Sequence, residues 1–288
     1  MTDFVSIFEV GPRDGLQNEK TFVSTDDKVA LVDRLSEAGF QKIEVASFVS
    51  PKWVPQMADG ADVMAGIKRS PSVTYAALTP NVKGYENARA AKADEVAIFG
   101  SASEGFSQKN INCSIAESLE RFKPLMELAL QDGVPVRGYV SCVVECPYDG
   151  MTKPAAVADV AKALYEMGCY EISLGDTIGK AQPSEVALML DAVLEFVPAE
   201  KLAGHYHDTA NRALANIEVS LEKGVRTFDS AIGGLGGCPY APGAKGNVET
   251  LAVFDHLTEL GFETRINRDQ LVKAGALLTD MMGKLSHD

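Results

Sequence analysis

Two histidines, His205 and His207, are the clearest indication of chemistry in this sequence. They lie two residues apart in the apolar segment "KLAGHYHDT", and they are half of the chain's four histidines. If the segment is a β-strand, residues i and i+2 point to the same face and both imidazoles project together. Two imidazole nitrogens on one face supply half of a divalent metal site. The alternative is a polar strand end in which the imidazoles are only hydrogen-bonded.

Oxygen donors that could complete such a site lie far away along the chain. Asp14 follows a short apolar segment, in "EVGPRDGLQNEK", and Asn247 ends the glycine-rich segment "GGLGGCPYAPGAKGN". If eight strands close into a barrel, the last strand lies beside the first and the seventh, so both residues could reach the same ion. One carboxylate, two imidazoles and an amide oxygen favour Mg²⁺ or Mn²⁺ with water over a tetrahedral structural zinc. A zinc hydrolase that uses Cys238 as a ligand is the rival interpretation.

The glycine-rich segment, residues 233–247, holds six glycines around Cys238. Its spacing fits neither the dinucleotide-binding fingerprint nor the P-loop, which argues against a phosphate cradle. We therefore predict a flexible loop that closes over a site and carries one reactive thiol. Burial of Cys238 as simple packing is the weaker alternative, because the loop offers little apolar surface.

Three further charged residues occur where predicted strands end: Arg13, Glu44 and Asp176. An arginine in this position can polarise a carbonyl or hold a carboxylate, although Arg13 could also simply pair with Asp14. Glu44 and Asp176 could act as general bases, or could orient the metal ligands and Arg13. For each carboxylate alone, a structural hydrogen bond is an equally good interpretation. Catalysis is favoured because all three residues share one end of the predicted strands.

An alternation of short apolar strands and alanine-rich helices must position these residues. The predicted strands are 4–10, 42–47, 73–78, 95–100, 135–143, 170–176, 201–207 and 225–232. Helices such as 25–39 and 247–261 end at a glycine before an apolar residue, which is typical of the turn into a buried parallel strand. Eight such repeats predict an α/β fold, a (β/α)8 TIM barrel in a single domain over about 4–262, with a short C-terminal helical tail over 263–288. A doubly wound open sheet is the alternative, because periodicity does not show closure.

Composition and charge narrow the choice of partners. The net charge of −13 argues against nucleic acid or an anionic membrane surface as the main partner. No segment approaches the ~20 apolar residues of a membrane span, and the N-terminus has no features of a targeting sequence. Five scattered cysteines suit a reducing compartment. We therefore expect a cytoplasmic protein.

Several long motifs together resemble the 3-hydroxy-3-methylglutaryl-CoA (HMG-CoA) lyase family, from residue 5 to about 262. They are "GPRDGLQNE", "SFVSPKWVPQMAD", "INCSIAESLERF", "SCVVECPYDG", "SLGDTIG", "GHYHDT" and "GGLGGCPYA" with "GAKGN". The resemblance implies a TIM barrel with a Mg²⁺ or Mn²⁺ site that cleaves HMG-CoA to acetyl-CoA and acetoacetate. It also implies an acyl-CoA substrate, a homodimer, and a role in leucine degradation and ketone body formation.

The resemblance assigns roles to individual residues. It implies metal ligation by Asp14, His205, His207 and Asn247. It implies that Arg13 stabilises the thioester enolate and that Cys238 is the general acid, with Glu44, Asp176 and His205 completing the catalytic set. Lys20 and Asn110 are implied contacts of coenzyme A. One departure is Leu251, which stands where the family pattern has a glutamate, although Glu249 lies close by.

Three other functions fit parts of the pattern. The first is a lyase for a related 3-hydroxyglutaryl-type CoA thioester with another 3-substituent. The second is an enzyme that condenses acetyl-CoA with a 2-oxo acid, but such enzymes usually have an added C-terminal region. The third is a non-catalytic metal- or acyl-CoA-binding barrel, which would not place reactive groups at so many strand ends.

Overall fold

Eight parallel strands close into a barrel in the computed structural model of the chain, which describes residues 3–19, 21–237 and 246–285. The barrel strands are β1 (Ser6–Glu9), β2 (Lys42–Ser47), β3 (Thr74–Leu78), β4 (Glu95–Ser101), β5 (Val136–Ser141), β8 (Glu171–Asp176), β9 (Leu202–Tyr206) and β10 (Thr227–Ser230). Strands β6 (Glu145–Cys146) and β7 (Gly150–Met151) form a small antiparallel hairpin outside the barrel. The register pairs Ser6 with Thr227, so β1 joins β10 and closes the barrel. The predicted barrel is confirmed and the open sheet is excluded.

Helices alternate with the strands and cover the outside of the barrel. They are α1 (Thr25–Glu37), α2 (Gly60–Gly66), α3 (Val82–Ala90), α4 (Glu104–Ile111), α5 (Ile115–Asp132), α6 (Pro154–Glu166), α7 (Pro183–Leu194), α8 (Ala213–Glu222), α9 (Thr250–Glu259) and α10 (Arg268–Leu285). Among the described residues, no helix has both the length and the apolar composition needed to cross a membrane. The strands are buried on both faces, which explains why their sequences are nearly continuous apolar runs.

Helix α9 begins later than the sequence predicts. The periodic pattern puts its start at Asn247, whereas the helix starts at Thr250 because the Glu249 side chain accepts the Ala252 N–H as its N-cap. Asn247 instead forms an isolated antiparallel bridge with His207. This extended backbone fixes Asn247 beside strand β9.

The C-terminal helix α10 packs against the barrel through one apolar face. Its buried residues are Leu271, Ala274, Leu278 and Met281. The helix lies against α1 and against the short turn Ile232–Gly234, which follows β10. It therefore supports the start of the glycine-rich segment from outside.

Candidate active site

The carboxyl ends of the barrel strands β1 and β9 bring three potential metal ligands together. One donor atom from each of Asp14, His205 and His207 lies within 4.8 Å of the other two. Both histidines are buried, and their ring centroids are 5.4 Å apart, as their i, i+2 spacing on a strand requires. Among the described residues, this is a group that could hold a metal ion.

A tight turn after β1 presents Arg13 and Asp14 to the barrel mouth. The residues Gly11–Gly15 form one π-helical turn, in which the Val10 carbonyl accepts the N–H groups of Arg13 and Asp14 at 3.2 and 2.7 Å. The two side chains are joined, since Arg13 Nη1 donates to Asp14 Oδ1 at 2.6 Å. Gln17 Nε2 donates to the same oxygen at 2.8 Å. Asp14 Oδ2 is thereby left to face the histidines, 4.0 Å from His205 Nε2.

Arg13 also bonds to Glu44, and this pair is buried. Arg13 Nε donates to Glu44 Oε2 at 2.6 Å, and the Tyr139 hydroxyl donates to the same oxygen at 3.2 Å. Burial opposes the charged form of Arg13, but Glu44 and Asp14 outweigh it and raise the pKa of the guanidinium. Burial also raises the pKa of Glu44, and the Arg13 charge opposes that shift. Arg13 is therefore a permanent, oriented cation in the barrel mouth.

The two histidines have different environments. Burial and the neighbouring His205 lower the pKa of His207 to about 4, so its imidazole is neutral with a free lone pair. Burial also disfavours protonation of His205, but its hydrogen bond to Asp229 and the charges of Asp229 and Asp14 raise its pKa above the usual value. A bound cation would displace a proton from His205, as metal binding requires.

Asn247 joins the glycine-rich segment to this group. Its Nδ2 donates to Asp14 Oδ2 at 2.8 Å and to the Leu235 carbonyl at 3.2 Å. A Cβ at Gly236, whose φ is +109°, would lie 2.8 Å from Asn247 Nδ2, and one at Gly246 would lie 2.5 Å from the Gly236 carbonyl oxygen. These two glycines are needed because the ends of the segment pack tightly beneath Asn247. The glycines in the sequence predict only a flexible loop and do not reveal this packing role.

The donor set fits a divalent cation. Within the described part of the chain, Asn247 Oδ1 and His207 Nδ1 are buried without a hydrogen-bond partner. Buried polar atoms are normally satisfied, so these atoms mark a place where another group is expected. The mixed oxygen and imidazole donors suit Mg²⁺ or Mn²⁺ with water.

Comparison of the sequence with known protein families identifies the family of this chain. The family model described as HMGL-like matches residues 4–278. The chain belongs to the HMGL-like family. The sequence-based resemblance is therefore confirmed at the level of the family.

Individual members of the HMGL-like family are similar over nearly the whole chain. The mitochondrial hydroxymethylglutaryl-CoA lyase of Bos taurus is 56% identical over 97% of this chain and 86% of its own length. The 3-hydroxy-3-isohexenylglutaryl-CoA/hydroxymethylglutaryl-CoA lyase of Pseudomonas aeruginosa is also 56% identical, over 97% of this chain and 93% of the relative. The crystal structure of the HMG-CoA lyase from Brucella melitensis superposes with a TM-score of 0.95 at 61% identity, covering 97% and 99% of the two chains.

Two of the remaining predicted site residues of this HMGL-like chain, Asp176 and Asn110, lie in the described part of the structure. Asp176 is buried at the end of β8, where its Oδ2 accepts the Ala181 N–H at 2.9 Å. Burial raises its pKa to about 6, against the effect of the backbone N–H groups of its own loop. Asn110 is exposed on α4, which follows the carboxyl end of β4. Cys238 and Lys20 lie outside the described residues.

Leu251, which stands where the family pattern has a glutamate, lies in the first turn of α9. Leu251 is partly buried and packs against the hydrophobic core. Glu249 does not replace a carboxylate at that position, because its own carboxylate accepts the N–H groups of Gly233 and Ala252. Glu249 therefore caps α9 and holds the turn after β10.

Sequence reasoning missed four buried polar residues that support the site: Glu9, Arg137, Tyr139 and Asp229. Glu9 Oε1 accepts the N–H groups of Gly11 and Ile232 at 2.8 and 2.9 Å, which ties the turn after β1 to the turn after β10. Its Oε2 accepts the Thr250 hydroxyl at 2.8 Å. The available signal was an ionisable residue inside an apolar strand, since such residues are almost never fully buried without a partner.

Proposed function

We propose that this chain cleaves HMG-CoA to acetyl-CoA and acetoacetate as a metal-dependent carbon–carbon lyase. The observation that carries the proposal is the cluster of Asp14, His205 and His207 beside the buried Arg13–Glu44 pair at the barrel mouth. Membership of the HMGL-like family and the 56% identity to named hydroxymethylglutaryl-CoA lyases support the same reaction.

Four side chains would hold the cation, namely Asp14, His205, His207 and Asn247. When bound, Mg²⁺ or Mn²⁺ lowers the cost of removing the proton from a tertiary hydroxyl and orients the substrate's oxygens. Asp14 contributes a carboxylate whose Oδ1 accepts hydrogen bonds from Arg13 and Gln17, while its Oδ2 accepts one from Asn247 and faces His205, so Oδ2 is the oxygen that we assign to ligation. His207 contributes a neutral imidazole.

The reaction breaks one carbon–carbon bond and includes two proton transfers, one from the substrate hydroxyl to a base and one from an acid to the enolate carbon, so that the substrate neither gains nor loses a proton overall. The hydroxyl on C3 loses its proton, the C2–C3 bond breaks, and its electron pair passes into the thioester as an enolate. Arg13 is the group suited to that enolate, because it is buried, permanently charged and oriented by Glu44. Fixed charges in a site that excludes water stabilise developing charge without reorganisation.

We assign the two proton transfers to two further groups. Asp176, with a pKa of about 6, can exchange a proton near neutral pH and is the carboxylate that we assign to accept the hydroxyl proton. The enolate carbon then takes up a proton, which we assign to the Cys238 thiol, whose ordinary pKa is about 8.5. The base of the loop that precedes Cys238 is anchored to the site, since Asn18 Nδ2 donates to the Gly237 carbonyl at 2.7 Å.

A cleavage assay tests the proposal. Purified protein is incubated with HMG-CoA and Mg²⁺ or Mn²⁺, and acetoacetate and acetyl-CoA are both quantified. We expect equal amounts of the two products and their loss in the presence of EDTA. Formation of a new carbon–carbon bond from acetyl-CoA and a 2-oxo acid, with no cleavage of HMG-CoA, would instead favour a condensing enzyme.

A lyase for a larger 3-substituent is the second candidate. The name of the Pseudomonas aeruginosa relative includes 3-hydroxy-3-isohexenylglutaryl-CoA beside hydroxymethylglutaryl-CoA. The relative values of kcat/KM for the methyl and isohexenyl thioesters decide between the two candidates. A preference for the methyl compound supports the first.

The cellular setting and the assembly are also proposals. We propose a homodimer that takes part in leucine breakdown in a reducing compartment such as the cytoplasm. The four described cysteines, Cys113, Cys142, Cys146 and Cys169, are all buried and form no disulfide with one another, which suits such a compartment. Light scattering coupled to size-exclusion chromatography tests the dimer.

A further inference from the structure

Charged residues continue from the barrel mouth into the barrel interior. Asp229 on β10, Arg137 on β5 and Glu171 on β8 are all buried. Strands β10 and β5 are not neighbours, because β9 and β8 lie between them. The bidentate pair between Arg137 and Asp229, with Nη2 to Oδ1 at 2.7 Å and Nη1 to Oδ2 at 3.0 Å, therefore spans the inside of the barrel.

The Arg137 guanidinium is held in one position. Its Nε donates to Glu171 Oε1 at 2.8 Å on the side away from Asp229. Its Cζ lies 4.5 Å from the ring centroid of Phe8 and 5.0 Å from that of Tyr139. Guanidinium groups bind carboxylates in a fixed fork geometry and stack on aromatic rings, so Arg137 fixes the orientation of the Asp229 carboxylate.

Asp229 in turn contacts a proposed metal ligand. It lies opposite His205 in the parallel register of β9 and β10, and its Oδ2 is 3.1 Å from His205 Nδ1. The Ser173 hydroxyl donates to the same oxygen at 2.8 Å. Because a carboxylate only accepts hydrogen bonds, this contact places the proton of His205 on Nδ1. The lone pair of a neutral ring is then on Nε2, the nitrogen that faces Asp14 Oδ2.

We propose that Asp229, held by Arg137 and Ser173, is the positioning residue that fixes the tautomer and ring orientation of His205 for metal binding. The inference rests on the metal site put forward under the proposed function. Partners of this kind on the second nitrogen of a ligand histidine typically change metal affinity by about 10- to 100-fold. His207 differs, since its Nδ1 has no hydrogen-bond partner among the described residues. The two histidines of the pair are therefore oriented by different means.

The test is Asp229→Asn, compared with Glu171→Gln as a matched control. Both variants remove one carboxylate charge from Arg137, but only the first changes the contact with His205. We expect Asp229→Asn to weaken Mn²⁺ binding by roughly 10-fold or more, measured by calorimetry, and Glu171→Gln to change it by less than about 3-fold. Equal effects of the two variants, or no effect of either, would overturn the proposal.

Nitrogen NMR of the His205 ring provides a readout that requires neither metal nor turnover. In the metal-free protein, at a pH where the ring is neutral, we expect the Nδ1–H tautomer, and a mixture of tautomers in Asp229→Asn. An unchanged Nδ1–H tautomer in the variant contradicts the proposal even if the enzyme cleaves HMG-CoA. Conversely, Asp229-dependent Mn²⁺ binding in a protein that does not cleave HMG-CoA supports it and refutes only the proposed reaction.

Loss of folding in Asp229→Asn is the outcome to guard against, because removing one partner of a buried ion pair is strongly destabilising. The double variant Arg137→Gln/Asp229→Asn removes both charges and leaves no unpaired guanidinium. We expect its thermal unfolding to stay cooperative and its Mn²⁺ affinity to fall by the same factor as in the single variant. Wild-type affinity in a folded double variant would overturn the proposal.

Discussion

Asn247 Nδ2 donates a hydrogen bond to Asp14 Oδ2 at 2.8 Å, although the two residues are 233 positions apart in the chain. The contact exists because β1 pairs with β10 and closes the barrel. It joins the turn that carries Arg13 to the glycine-rich segment, whose sequence includes Cys238. This hydrogen bond therefore connects the proposed metal ligands with the segment that contains the proposed proton donor.

Replacement of His207 should affect metal binding first. His207→Ala removes a neutral imidazole donor, and we expect Mn²⁺ affinity to fall by roughly 10-fold or more. A cation present at 100 times its Kd stabilises the folded state by about 2.7 kcal/mol, so the metal-dependent rise in Tm should shrink in the variant. His256→Ala is the control, because His256 pairs with Glu218 between α9 and α8. A wild-type metal response in His207→Ala would refute its assignment as a ligand.

Replacement of Arg13 should reduce turnover more than substrate binding. Arg13→Lys keeps the charge but loses the planar fork that contacts both Glu44 and Asp14. We expect kcat to fall by about 100-fold or more, as for the loss of one oxyanion-stabilising donor, which corresponds to about 2.7 kcal/mol. Steady-state kinetics with HMG-CoA measure this effect. A change confined to KM would mean that Arg13 only holds the substrate.

Glu9 should make the free energy of unfolding depend on pH. Burial raises its pKa to about 7 from an ordinary value of 4.5, against the hydrogen bonds from Ile232, Thr250 and Gly11. The folded state therefore binds more protons than the unfolded state between these values, so this group's contribution to stability is present below pH 4.5 and is lost as pH rises to 7. Glu9→Gln keeps the acceptor for the two N–H groups and should remove this dependence.

Urea unfolding at a series of pH values checks the prediction for Glu9. Above pH 7, Glu9→Gln should be more stable than the wild type by about 3 kcal/mol, because the pKa rises from 4.5 to about 7 and each pKa unit corresponds to about 1.36 kcal/mol. The difference should disappear near pH 4. Parallel stability curves for the two proteins across this range would contradict the assignment.

Cys238 should be needed for turnover and not for metal binding. Cys238→Ala removes the proposed proton donor, and we expect kcat to fall by about 100-fold or more while Mn²⁺ affinity is retained. Cys169→Ala is the control, because Cys169 is buried in the core and burial raises the pKa of its thiol to about 12. Near-normal turnover in Cys238→Ala would exclude the proton-donor role.

The sequence by itself determined the number and order of the barrel strands, and it predicted the strand ends to within two residues. The pairing of His205 with His207 could be predicted because strand alternation is local geometry. The barrel could be predicted because repeated strand–helix units with glycine-ended helices favour few alternatives. Family motifs then assigned roles that spacing alone left open.

The tertiary structure alone decided which distant side chains meet and which ring nitrogen of His205 contacts Asp229. Asp229 faces His205 only because β9 and β10 pair in one register, and Arg137 reaches Asp229 only across the barrel interior. Periodicity along one strand contains no information about register or about contacts through a lumen, because both depend on closure of all eight strands. The tight packing of Gly236 against Asn247 is likewise invisible in the sequence, because it depends on how the glycine-rich segment folds back on itself.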